Sequence, residues 1–158
     1  MRPDTPGSAW LAVAFGLSVL VPTACFGAEP SPAKLLGPLR DQSAIDGCAW
    51  YASSDRVGKG YMFLAEYDQS RILMNIDGLD TDLKRTSARG HLKKLGSVLT
   101  NVYRSNKGAV VYATYRTTWL CPTDGTHESC EVTRFKVSFE AVTGNRRQIV
   151  HTTGEAGC

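Results

Sequence analysis

The chain has 158 residues with a formal net charge of +3, and 42% of them are apolar. Past an N-terminal leader this leaves roughly 130 residues, one domain by length and enough to bury a core without help from a metal. The slight positive charge carries no aromatic-basic motif, which excludes a nucleic-acid binder among exported chains.

Residues 1–27 read as a secretory signal peptide. Arg2 precedes an unbroken apolar run from Trp10 to Val21, Pro22 breaks the run, and small residues come after it. That order is charged n-region, apolar h-region and cleavage site. The run falls short of the roughly 20 apolar residues a membrane span needs. Two processing routes fit: soluble export with cleavage after Gly27, or lipidation at Cys25. The domain is thereby expected in the periplasm, with the membrane involved only through such a lipid anchor.

Residues 28–45 read as a flexible N-terminal arm, because six of the seven prolines lie at or before Pro38. The remainder, 46–158, reads as a single β-domain stapled by disulfides. Strands are predicted over Gly47–Ser54, Gly60–Tyr67, Arg71–Ile76, Leu79–Arg85, Ser97–Arg104, Ala109–Leu120, Thr133–Ala141 and Arg146–Thr152. Turn signals separate most of them, Asp77-Gly78 and Thr143-Gly-Asn145 among them. The clearest pattern is Thr133–Ala141: Phe135, Val137, Phe139 and Ala141 are apolar, while Arg134, Lys136, Ser138 and Glu140 between them are polar. A period of two means one buried and one wet face. Only Leu35–Ile45 and Ser87–Leu95 have a helical reading, and both are short. The fold class is all-β, a small antiparallel barrel or sandwich of about eight strands.

With Cys25 removed or lipidated, four cysteines remain. An even number in an exported chain points to disulfides. Cys121 and Cys130 bound a loop between two strong strands and form the favoured pair. Cys48 with Cys158 then ties the start of the domain to its end. Zinc fits poorly, since there is no C-x-x-C and the cysteines are scattered.

Charge is unevenly spread. From Leu83 to Thr123 there is no acidic residue but there are eight basic ones. Lys84, Arg85, Arg89, His91, Lys93 and Lys94 are therefore candidate partner-binding residues, as are Asp124 and His127 in the cysteine-bounded loop. Such a stretch steers anionic partners. Asp77-Gly78-Leu79-Asp80-Thr81-Asp82 has carboxylates for calcium, but its spacing fails the EF-hand pattern and Asp-Gly favours a hairpin.

No elbow, zincin, glycine-loop or cysteine-nucleophile signature is present, and no cofactor motif. The expectation is a non-enzymatic binding protein without a cofactor. Its expected partner is another protein, a wall- or envelope-directed toxin or lytic enzyme that it neutralises as an inhibitor or immunity protein. In size, leader and β architecture the chain resembles small exported inhibitors of lysozyme-type enzymes. Thr86-Ser-Ala-Arg-Gly90 resembles the small-residue loop some of them insert into an active cleft. The rival functions are an envelope component that contacts wall polymer or anionic lipid, and a hydrolase with an unrecognised site.

Overall fold

The computed structural model describes residues 34–122 and 130–158. The signal peptide, Cys25, the first part of the expected arm, Asp124 and His127 lie outside them. The described residues form ten strands and no helix: β1 (Leu36–Gly37), β2 (Ala49–Ser53), β3 (Tyr61–Glu66), β4 (Ile72–Ile76), β5 (Leu79–Asp82), β6 (Lys84–Gly90), β7 (Val98–Arg104), β8 (Val110–Leu120), β9 (Thr133–Thr143) and β10 (Arg146–Gly157). All belong to one antiparallel sheet in the order β1-β4-β3-β2-β10-β9-β8-β7-β6, with β5 paired to β4.

The sheet curls on itself. Phe63 on β3 and Tyr103 on β7 are five inter-strand steps apart along it, yet their ring centroids are 5.9 Å apart. A flat sheet at about 4.8 Å per step would separate them by roughly 24 Å. The ladder nevertheless does not close into a barrel. β5 bonds to β4 and β6 to β7, with only buried Leu83 between them, so covalent chain rather than a ladder bridges the two sides. The strand expected over Leu79–Arg85 is divided at that residue.

β9 alternates as its sequence demands, with Phe135, Val137, Phe139 and Ala141 inside. β4 is buried throughout, because a second, smaller cluster covers its outer face. There Leu39, Leu64 and Leu73 pack with Ala44, Ile45, Tyr51 and Tyr61. This corrects the expected arm: from Leu35 onward the segment is packed, not free. Leu35, Leu36 and Leu39 are buried. Leu36 pairs with Ile76. The Asp80 carboxylate accepts the backbone N–H groups of Arg40 (2.8 Å) and Asp41 (2.9 Å).

Neither helical reading holds. Pro38 interrupts Leu35–Ile45, whose leucines are held against the sheet. Ser87–Leu95 divides into β6, held by its ladder to β7, and the loop after it. Asp77 and Gly78 both take positive φ, 56° and 76°, as the two-residue turn between β4 and β5. Paired positive φ values match the primed hairpin turn that Asp-Gly favours. Cys48 is bonded to Cys158 and Cys121 to Cys130, which is consistent with folding in an oxidising compartment.

Candidate functional site

β6 ends the sheet and all seven of its residues are exposed. One edge pairs with β7 from Lys84↔Arg104 to Gly90↔Leu99, and no ladder among the described residues occupies the other. Neither face is buried, so no apolar period marks the strand in the sequence. The segment Thr86–Gly90 is accordingly strand and not an inserted loop. A free edge offers unpaired N–H and C=O groups to another chain, and cations along it restrain indiscriminate pairing.

The basic residues of this stretch have different surroundings. Arg85 sits opposite Tyr103 and donates through Nη1 to Oε1 of buried Gln69 at 2.8 Å, so it is tied to the core. Arg89 sits opposite Thr100 and makes no ion pair among the described residues. Lys84 faces Arg104, and both border a depression of about 410 Å³ that also includes Asp82.

Past β6 the chain turns over the mouth of the curled sheet. Gly90 makes the turn at φ 93°, where a Cβ would collide with the carbonyl of Val98. A cavity of about 330 Å³ opens here, lined by Trp50, Tyr67, His91, Leu92, Lys93 and Leu99 among others. Leu92, Leu99 and Trp50 pack onto the core beneath. The Trp50 indole donates to the Tyr67 carbonyl at 3.1 Å and meets the Tyr115 ring edge-on at 5.6 Å. The rim loop is pinned by Thr117, whose hydroxyl donates to the Leu92 carbonyl at 3.2 Å. Ser97 similarly donates to the Lys94 carbonyl at 2.6 Å. The result is an apolar floor with His91 and Lys93 at its border, continuous with the β6 edge through Gly90. Mouths of curled sheets are common binding positions.

A polar cluster lies within the core. Asn101 donates to the Tyr103 hydroxyl at 2.7 Å, and Tyr103 and Tyr115 hydroxyls are 3.0 Å apart. Burial pushes the Tyr115 phenol well above its ordinary value, with Tyr103 adding to the effect. Burial also raises Tyr103, against hydrogen bonds from Tyr115 and Asn101. Both phenols thus stay neutral near pH 7 and act as hydrogen-bonding groups, not bases. Gln69 Nε2 and Asn101 Oδ1 have no partner among the described residues.

The structure therefore brings His91 and Lys93 together with Trp50. Arg89 lies on the adjoining edge and Lys94 in the rim loop. Lys84 borders a different depression. Gln69 and Asn101 were missed, although one signal was available: Asn101 lies on the inward period of Leu99, Asn101 and Tyr103. Among the described residues no three His, Cys, Asp or Glu side chains are grouped as metal ligands. Comparisons with protein-family models, curated proteins and solved structures find no match for the chain.

Proposed function

We propose that this chain is a non-enzymatic binding protein of a bacterial periplasm, an inhibitor or immunity protein that blocks a wall- or envelope-directed toxin or lytic enzyme. One observation carries the reading: a fully exposed cationic edge strand, β6, runs without interruption into an apolar cavity floored by Trp50. Strand addition uses such a pairing. Backbone hydrogen bonds along a free edge supply affinity, and a neighbouring pocket selects a side chain. The partner would lay an extended acidic segment along β6 and place a bulky apolar residue over Trp50, Leu92 and Leu99. The ladder to β7 holds the edge extended, which lowers the ordering cost of binding.

The test is inhibition by the oxidised, purified protein across a panel of muramidases, amidases, wall endopeptidases and pore-forming toxins. One of them should lose activity at an equimolar ratio. Its complex should weaken as salt rises, because exposed charges are screened beyond about 10 Å at 0.1 M. Arg89→Glu with Lys93→Glu should weaken it at least about tenfold. Inhibition of no panel member, or inhibition untouched by those substitutions and by Trp50→Ala, overturns the proposal.

A further inference from the structure

A second concave surface shares no residue with the β6 edge or its cavity. The outer faces of β2, β10, β9 and β8 form a groove of about 380 Å³, bordered by Ser53, Thr118, Lys136 and Thr153 and closed at one end by Tyr51, Arg134 and Glu155. One irregularity shapes it: β8 bulges against β9 between Thr117 and Trp119, leaving Thr118 as the extra residue, while Ser53 and Thr153 face each other across the regular β2–β10 ladder. Bulges re-aim side chains, and the β8 bulge turns the Thr118 hydroxyl into the groove.

The charges in this groove do not cancel. Register sets Lys136 directly opposite Arg116 on one side and Thr153 on the other. Like charges directly opposite each other destabilise a sheet. Arg116 turns away and donates to the Gly96 carbonyl at 3.2 Å. Lys136 has no hydrogen bond or ion pair among the described residues. Glu155, the one carboxylate bordering the groove among them, is already engaged through both oxygens, by Arg134 Nε at 2.9 Å and by the Tyr51 hydroxyl at 2.5 Å. Its charge is matched by that of Arg134, which leaves Lys136 as the net positive charge of the groove. The groove thus presents one unneutralised cation amid three hydroxyls.

We propose that this groove binds an anionic saccharide, its carboxylate or phosphate against Lys136 and its hydroxyls against Ser53, Thr118 and Thr153. A lipid surface fits less well. The groove is concave, and none of the exposed large apolar side chains (Tyr67, Leu79, Leu95, Tyr112 and Ile149) borders it. The site gives the protein a hold on an acidic envelope polymer and leaves β6 free. It stands whether or not β6 recruits an enzyme.

The experiment titrates the oxidised protein with oligogalacturonate, a neutral dextran oligomer, inorganic phosphate and phosphatidylglycerol vesicles, following backbone amide shifts. Oligogalacturonate should move the amides of Lys136 and Thr153. Dextran should not, and phosphate alone should bind more weakly than the acidic sugar. Lys136→Ala and Thr153→Val should each weaken oligogalacturonate binding at least about fivefold. The melting temperature of Lys136→Ala should be unchanged or higher, since a like-charge pair is relieved. No shift with oligogalacturonate, undiminished binding by Lys136→Ala, or Lys136-dependent binding to the vesicles alone overturns the assignment.

Discussion

The hydroxyls of Tyr103 and Tyr115 lie 3.0 Å apart in the interior, from residues on adjacent strands that face the same side of the sheet. Asn101, two residues before Tyr103 on β7, donates to the Tyr103 oxygen, leaving that phenol's proton for Tyr115 or Gln69. Removing one hydroxyl from such a chain costs about 1 kcal/mol, while leaving buried groups without partners costs about 1–3 kcal/mol. Tyr115→Phe is therefore expected to lower unfolding free energy by about 1 kcal/mol. Asn101→Ala should cost about 2–3 kcal/mol, because it opens space and strips a partner from Tyr103. Urea unfolding of the oxidised protein measures both. A larger loss for Tyr115→Phe than for Asn101→Ala would contradict the arrangement.

Stability should decline at high pH. Burial, then the Glu155 hydrogen bond and charge, push the Tyr51 phenol up to about 12 from an ordinary 10.0. Burial raises Tyr103 and Tyr115 as well. A phenol with a raised folded pKa keeps its proton in the native state after the unfolded chain has lost it. Its contribution is therefore fully present below the unfolded value of 10.0 and is lost as pH rises through the folded value. Unfolding free energy should hold level approaching pH 10 and fall between there and pH 12. Tyr51→Phe should make that fall shallower. Denaturant midpoints across the alkaline range are the measurement, and a fall that begins near neutrality would count against these three tyrosines as its cause.

How far the sequence disclosed this arrangement depends on which faces are buried. β9 was legible because one face meets the core and the other meets water, so Phe135, Val137 and Phe139 alternate with polar residues. β4 has both faces covered, the outer one by the segment around Leu39, so its apolar run showed no period. β6 has neither face covered, and its strand state comes from its ladder to β7, which local composition does not encode. Proline-rich composition concealed the N-terminal contribution, where Leu35, Leu36 and Leu39 are the residues that bury. The spacing of the cysteines suggested the two bonds found, because a short loop and a chain end constrain the choice. Trp50 meets His91, Leu92 and Lys93 only through pairings between residues far apart in sequence, and no local pattern announces that.

The two disulfides should contribute unequally. Cys48–Cys158 closes a loop across 110 positions, and Cys121–Cys130 one across 9. Chain entropy assigns about 4.8 kcal/mol to the long loop and about 2.7 kcal/mol to the short one. Cys48→Ala with Cys158→Ala should therefore lower the melting temperature more than Cys121→Ala with Cys130→Ala. Thermal unfolding of the two double variants, with thiol counts confirming the surviving bond, decides the order. Equal losses would contradict closure of the unfolded chain as the source of the difference.

Asp80 should act as the clasp for the N-terminal segment. Partial burial works to raise its pKa, but N–H bonds from Asp41 and Arg40, the Asn75 amide and the Arg40 charge outweigh it and hold the carboxyl below its ordinary 3.8. A depressed carboxylate contributes stability above the unfolded value that is lost as pH falls through the folded one, so the clasp opens only below about pH 4. Asp80→Ala removes the acceptor for two backbone N–H groups and should cost about 1 kcal/mol at neutral pH. The loss should be local. Hydrogen exchange should quicken at Leu39, whose N–H donates to the Tyr61 carbonyl at 2.7 Å, while Phe135 and Phe139 on β9 stay protected. Faster exchange on β9 to the same degree as at Leu39 would show that the segment and the sheet unfold as one unit, and that Asp80 holds no separate clasp.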